Sequence, residues 1–320
     1  MKTPKFWKDE NIISFILYPF SIIYGFFRHM HVLFSKEYKT SLKIICIGNV
    51  TAGGSGKTPL AIKIGEMLKE RNIDFAYLSK GYNAKIKEFT KIDKTIHNAQ
   101  DVGDEPMLLA ELSDTFICKN RRNAIENLSK NYNYEYIIMD DGFQNPTISK
   151  YKNIVVIDGE YGMGNGELLP SGPLRETLNS AAKRSDFFVI IGQDKQNIEE
   201  TLLNNGIDVA RAFVVEKQKS NSSDKYIAFC GIGRCEKFFN SLKKSSYNVI
   251  KEYSFGDHHN YKEDELEKII TEAGKIGAKL ITTKKDWIKL SKIYNSKIEF
   301  LEIGVEFYDI NKILNLLNLE

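Results

Sequence analysis

The stretch "TAGGSGKTP", residues 51–59, packs three glycines, a lysine and a threonine behind the apolar run "LKIICIGNV". Gly53, Gly54 and Gly56 let a backbone curl so that successive amides point at one anion. A helix opening at Lys57 adds positive potential at the same place. The spacing is that of a phosphate-binding loop, G-x-x-x-x-G-K-[ST], with Thr51 standing where the first glycine belongs. It predicts a nucleotide site made of Thr51, Ala52, Gly53, Gly54, Ser55, Gly56, Lys57 and Thr58. Lys57 would reach the β- and γ-phosphates, and Thr58 would hold Mg2+. Thr51 costs little there if its φ is negative, because only a positive φ or a crowded Cα demands glycine.

Such a loop needs a carboxylate at the end of a neighbouring strand. "YIIMDDG" supplies Asp140 and Asp141, one of which is expected to contact Mg2+ or its water, the two having different partners. Two further polar clusters stand out: Asp101, Asp104 and Glu105 in "DVGDEP", and His258 and His259 in "GDHHN". Alone, the first reads as a helix cap and the second as surface histidines.

The elements around these residues alternate. From residue 42, apolar strands ("KIICIG", "DFAYLSKGY", "TFICK", "YEYIIMDDG", "NIVVID", "DFFVIIG") are interleaved with amphipathic helices ("KTPLAIKIGEMLKERN", "DEPMLLAELS", "RRNAIENLSKN"). This predicts an α/β fold: a mostly parallel sheet with helices on both faces. The polar run "EKQKSNSSDK" reads as a linker. Beyond it, "YIAFCGIG", "YNVIKEYSF", "AKLITT" and "KIEFLEIGV" read as strands of a second, smaller α/β unit. The expected boundaries are 1–40 for an N-terminal helix, 41–216 for the loop-bearing domain and 217–320 for the smaller one.

The 320 residues carry a formal charge of only +3, and no cluster of basic and aromatic residues builds a base-stacking platform, so nucleic acid is not an expected partner. Four scattered cysteines without a C-x-x-C pair read as reduced, buried thiols. "NIISFILYPFSIIYGFF", residues 11–27, has no charge and is flanked by Lys2, Lys5, Lys8, Arg28, Lys36 and Lys39. Ser14, Pro19, Ser21 and Gly25 make it a poor spanning segment, so it reads as a helix lying in a membrane interface with anionic lipid.

Taken together, "GNVTAGGSGKTP", "LSKGY", "VGDEP", "DDGFQ", "GNGELLPSGPLRE", "GIGRCEKFF", "DHH" and "TTKKD" resemble the tetraacyldisaccharide 4'-kinase family. The resemblance runs in order from Gly48 to Asp286. It implies transfer of the ATP γ-phosphate, with Mg2+, to the 4'-hydroxyl of a tetraacyldisaccharide 1-phosphate, a lipid A precursor. It also implies work at the cytoplasmic face of the inner membrane. In the same way it implies that Asp104, assisted by His258, is the base on the sugar hydroxyl, and that Asp140 and Asp141 serve the metal. Arg175 is a candidate phosphate contact by charge and place. Lys80 stands where the family usually has arginine, which would turn a bidentate contact into a point charge. Because His258 is far in sequence from the loop, the site is expected in a cleft whose closure brings His258 to Asp104. The rival reading is a GTP-dependent switch or metallochaperone-like protein, since Thr283-Lys284-Lys285-Asp286 resembles a guanine-reading [NT]-K-x-D loop.

Overall fold

A computed structural model describes residues 4–9, 11–217 and 224–319. Its strands are β1 (Lys43–Gly48), β2 (Phe75–Ser79), β3 (Thr90–Lys91), β4 (Thr115–Ile117), β5 (Tyr136–Asp140), β6 (Lys152–Asp158), β7 (Phe187–Ile191), β8 (Asp208–Glu216), β9 (Lys225–Cys230), β10 (Asn248–Ser254), β11 (Lys279–Thr283), β12 (Ile298–Leu301) and β13 (Ile303–Phe307). The helices are α1 (Ile12–Phe34), α2 (Lys57–Glu70), α3 (Ala99–Val102), α4 (Asp104–Leu109), α5 (Arg121–Asn131), α6 (Leu178–Ala182), α7 (Ile198–Asn204), α8 (Cys235–Lys244), α9 (Glu263–Ile276), α10 (Lys284–Trp287), α11 (Lys292–Asn295) and α12 (Ile310–Leu317).

Nine strands form the larger sheet in the order β13-β8-β7-β6-β1-β5-β2-β4-β3. All neighbours pair in parallel except the two edges, where β13 meets β8 and β3 meets β4 antiparallel. The central strands are unbroken apolar runs, as a sheet buried on both faces requires: every residue of β2, β5 and β7 is buried. Two cores result, one on each face of the sheet. The glycine at the end of β1 is dictated by packing: a Cβ on Gly48 would stand 2.3 Å from that of Phe143.

The smaller sheet, β10-β9-β11-β12, is all parallel and has its own two cores. Its end differs from the expected boundary at residue 320. "KIEFLEIGV" is not one strand. Its first half, β12, pairs with β11, and its second half, β13, crosses back to β8 of the larger sheet. Val305, Phe307, Ile313 and Leu317 then complete one core of the first unit. No glycine or proline marks the break, so periodicity alone runs through it. The linker expected from residue 216 falls mostly on 218–223, outside the described residues; its flank Lys217 donates its N–H to the carbonyl of Glu302, the residue between β12 and β13, at 2.9 Å.

Two of the four cysteines also depart from expectation. Cys46 and Cys118 are free and buried. Cys230 and Cys235 are joined as a disulfide with Cα atoms 5.9 Å apart, because the turn after β9 carries Cys235, at the start of α8, back over the strand end.

Helix α1 is continuous through Pro19 and Gly25, in keeping with the single N-terminal helix expected. It is also turned inside out. Its only buried residues are Ser14 and Ser21, seven positions apart on one face. The Ser21 hydroxyl donates to the Leu168 carbonyl at 2.8 Å and accepts from the Ser171 N–H at 3.0 Å. The Asn165 amide donates to the Ser14 hydroxyl at 3.0 Å. The aromatic and aliphatic side chains face outward, with Phe15 80% and Phe27 66% exposed. By length and composition α1 could cross a membrane.

Candidate active site

The phosphate loop leaves the C-terminal end of β1, the central strand, which is where parallel α/β sheets place ligand crevices. Gly53 and Gly56 take positive φ, 114° and 89°, and Gly56 caps α2 in the left-handed region. Thr51 has no positive φ, so a side chain is tolerated there. The loop's first half is stitched to the 167–175 segment: Thr51 bridges Leu174, and the Ala52 N–H donates to the Pro173 carbonyl at 2.7 Å. The Arg175 N–H returns to the Val50 carbonyl at 2.7 Å.

Lys57 bends back over the loop, its ammonium 3.2 Å from Oδ1 of Asn49 and 3.6 Å from Oδ1 of Asp141. Asn49 is fully buried and donates to the carbonyl of Thr51 at 2.5 Å. It was not singled out from the sequence, although its place at the end of β1 marks it as a residue that fixes loop curvature.

Thr58 donates its hydroxyl to Oδ2 of Asp140 at 3.0 Å. Asp140 is buried at the end of β5, and burial pushes its carboxyl up to about 6, against the pull of Lys57. Its Oδ1 is buried with no hydrogen-bond partner, and so is the hydroxyl of Ser55. A buried carboxylate oxygen with nothing to accept from is costly unless a ligand completes it. The Thr58 hydroxyl, Asp140 and Asp141 are hard oxygen donors of the kind Mg2+ takes, so the residues fit that ion. Among the described residues no group of three or more His, Cys, Asp or Glu forms a metal cage.

Asp141 lies just past β5 at φ 54°. Burial raises its carboxyl, but Lys57, Arg175 and Arg121 outweigh it and hold the group below its ordinary range. Arg175 reaches Oδ1 of Asp141 at 3.2 Å and Oε1 of Gln144 at 3.3 Å. Lys80, one residue past β2, is exposed and makes no ion pair among the described residues.

The second unit closes over this end of the sheet. Asp104 is the first residue of α4, placed there by Gly103 at φ 99°. His258 sits at φ 56° in the loop after β10. Its Nδ1 lies 3.0 Å from Oδ2 of Asp104, and the Tyr82 ring covers it at 5.2 Å. The contact expected from closure is therefore made in this conformation. His259 is occupied elsewhere, with Nε2 2.9 Å from Glu265 and its ring stacked on Phe255 at 4.7 Å.

Three residues make cross-unit contacts that had no signal in the sequence. Arg234 bonds both the Gly54 carbonyl of the phosphate loop and the buried carboxylate of Asp158, at the end of β6. Lys237 joins Asp158 as well. Lys285 pairs with Glu105 at 2.6 Å.

The guanine-loop reading does not fit. Asp286 is fully buried, accepts from the Gly231 N–H at 2.9 Å and the Thr283 hydroxyl at 2.8 Å, and pairs with Lys289 at 2.6 Å. Its carboxylate is consumed in fixing the turn and is not presented to a base.

The family described as tetraacyldisaccharide-1-P 4'-kinase matches the chain over residues 13–318. A tetraacyldisaccharide 4'-kinase of Paramagnetospirillum magneticum is 35% identical, over 96% of this chain and 95% of its own. One from Rickettsia bellii is 37% identical, over 90% and 89%. The crystal structure described as an "apo" form of LpxK from Aquifex aeolicus in complex with ATP superposes with a TM-score of 0.78. It is 27% identical and is covered over 99% of its length by 96% of this chain.

Proposed function

The chain belongs to the tetraacyldisaccharide-1-phosphate 4'-kinase family and is an ATP-dependent kinase of lipid A biosynthesis, and we propose that within it Asp104 takes the proton of the 4'-hydroxyl while His258 orients that carboxylate. The acceptor is a tetraacyldisaccharide 1-phosphate. The observation that carries the assignment is the 3.0 Å contact between Asp104 and His258, which come from different units and meet beside the phosphate loop.

A sugar hydroxyl is a weak acid and needs a base as its oxygen attacks phosphorus; a carboxylate held by a histidine can accept that proton late in the transfer. Alignment and charge neutralisation supply most of the remaining rate enhancement. Lys57 and the amides of residues 53–58 would cradle the β- and γ-phosphates, Lys57 exchanging Asn49 and Asp141 for phosphate oxygens. Thr58, Asp140 and Asp141 are the residues that would hold Mg2+, which when bound would supply positive charge against the β- and γ-phosphates. Arg175, fixed by Asp141 and Gln144, faces the same region and would contact phosphate; Lys80 is a looser candidate for the acceptor.

The acyl chains of the acceptor lie in a bilayer. The outward apolar face of α1 would rest in the interface at the cytoplasmic face of the inner membrane, with basic flanks against anionic lipid. The same helix touches the site: Arg28 pairs with Glu176 at 2.9 Å and the Tyr24 hydroxyl donates to the Arg175 carbonyl at 3.2 Å. Membrane seating and the Arg175 segment are thus mechanically joined.

The test is transfer of label from γ-labelled ATP to tetraacyldisaccharide 1-phosphate in mild detergent with Mg2+, for wild type, Asp104→Ala and Lys57→Ala. Label should move onto the lipid in wild type and be nearly lost in both variants. Undiminished transfer by Asp104→Ala would remove Asp104 from the role of base.

A further inference from the structure

The turn Thr283-Lys284-Lys285-Asp286 has no part in the reading above, yet it is among the most heavily bonded segments between the units. Thr283 and Asp286 close it, and Asp286 ties it to the N–H of Gly231. Both lysines then reach across to the first unit. Lys284 meets Glu111 at 2.6 Å as well as Glu302 at 2.9 Å. Lys285 meets Glu105 at 2.6 Å, and its ammonium lies 3.4 Å from Nε2 of His258.

That last distance constrains the histidine. A neutral imidazole has one N–H donor and one acceptor nitrogen. Nδ1 faces the carboxylate of Asp104, which only accepts when ionised, so Nδ1 carries the hydrogen. Nε2 faces an ammonium, which only donates, so Nε2 carries the lone pair. An imidazolium would set two cations against each other. The other charged and titratable groups facing this ring are Glu105 at 4.0 Å and Asp257 at 3.9 Å from Nε2, Lys289 at 4.0 Å from Oδ2 of Asp104, and the Tyr82 ring. Burial works against the charge on Lys285, but Glu105 more than offsets it and raises the lysine above its ordinary range, so the ammonium persists.

We propose that Lys285 is a positioning residue of the transfer reaction: held by Glu105 across the unit boundary, it fixes His258 as the neutral Nδ1–H tautomer and engages its Nε2 lone pair, so that Asp104 is the member of the pair left free to take the hydroxyl proton. This rests on Asp104 being the base. The same ion pair makes the arrangement conditional on closure, since Lys285 and Glu105 belong to different units.

The experiment is long-range 1H–15N correlation of histidine-labelled full-length protein in mild detergent, with pH profiles of kcat, for wild type, Lys285→Met and Lys285→Arg. Wild-type His258 should show an unprotonated Nε2 at neutral pH. In Lys285→Met, Nε2 should gain a proton at higher pH than in wild type and the acidic limb of kcat should move up. Turnover should fall about tenfold, with KM for ATP unchanged, less than the ~10²-fold or more expected on losing the base itself. Lys285→Arg keeps the charge and should keep the wild-type tautomer and limb. A protonated wild-type Nε2, or a Lys285→Met protein that loses turnover with tautomer and pH profile intact, would overturn the proposal. Loss of the wild-type tautomer in Lys285→Arg would do the same. Should Asp104→Ala remain active, the base assignment fails separately, because the tautomer is read without turnover.

Discussion

Asp140 and Asp141 are neighbours in the chain and are held by different groups: Oδ2 of Asp140 accepts from the Thr58 hydroxyl at 3.0 Å, while Oδ1 of Asp141 lies 3.2 Å from Arg175 and 3.6 Å from Lys57. The division arises in the backbone. β5 stops at Asp140, and Asp141 turns into the left-handed region at φ 54°. Arg121, buried at the start of α5, donates to the carbonyls of both residues at 3.2 Å and pins the turn. Asp140 keeps an unpaired oxygen, while Asp141 faces two cations.

The two carboxylates should therefore fail differently when neutralised. Asp140→Asn should lower kcat by ~10²-fold or more, in line with loss of one preorganised electrostatic group, and should raise the Mg2+ concentration needed for half-maximal rate. Asp141→Asn keeps the left-handed turn, which asparagine tolerates. It frees Lys57 and Arg175, so KM for ATP should change more than the Mg2+ requirement. A Mg2+ titration of the two variants decides it; identical Mg2+ curves would contradict separate roles.

Asp104 and His258 form one unit, so their losses should not add. Asp104→Ala should cost ~10²- to 10⁴-fold in kcat, the range for a general base. His258→Ala should cost less, because it removes only the group that orients the carboxylate. The double variant should match Asp104→Ala, as residues that act together behave. Single-turnover transfer rates for the three proteins test this, and losses that multiply would mean that the two side chains act independently.

Much of the frame was legible because its causes are local. The continuous apolar runs of β1, β5, β6 and β7 announce a doubly covered parallel sheet, and the glycines before Lys57 announce an anion site. Asp104 and His258 became candidates only through motif order, since nothing local separates a candidate base from a helix cap, and Arg175 through its charge and place. What was missed is nonlocal. The break between β12 and β13 carries no turn residue, because the chain changes sheets without changing direction sharply enough to need one. β8 was missed as an element, its mixed polarity reflecting a strand near the sheet edge. The bonds from Arg234 and Lys237 to Asp158 link residues 76 and 79 positions apart, a separation at which sequence spacing carries no contact information.

Helix α1 should bind membranes through side chains that the fold does not need. Phe15, Phe20 and Phe27 are 80%, 57% and 66% exposed. Replacing all three by glutamine should leave the melting temperature within about 2 °C, since exposed substitutions stay within roughly 0.5 kcal/mol. Sedimentation with anionic vesicles should fall sharply, and KM for the lipid acceptor should rise. Ser21→Leu should do the reverse: it removes two bonds to the 168–171 segment and should lower stability by ~1–3 kcal/mol while leaving the apolar face intact. Retained vesicle binding by the triple variant would place the membrane contact elsewhere.

Closure of the two units should weaken in acid through Asp158. Burial raises its carboxyl, but Arg234 and Lys237 outweigh burial and hold it below its ordinary 3.8. A carboxyl depressed in the folded state contributes stability that is present above its unfolded value and is lost as pH falls through the folded one. The loss should thus begin near pH 4 and grow below it, while neutral pH is unaffected. Asp158→Asn should remove this acid dependence and cost ~2 kcal/mol at pH 7, the scale of a hydrogen bond to a charged group. Because the same arginine bonds the Gly54 carbonyl, the variant should also loosen the second unit over the phosphate loop, raising KM for ATP. Thermal unfolding of both proteins from pH 3 to 7 measures the first effect. If the wild-type and variant curves stay parallel below pH 4, Asp158 is not the acid-sensitive contact between the units.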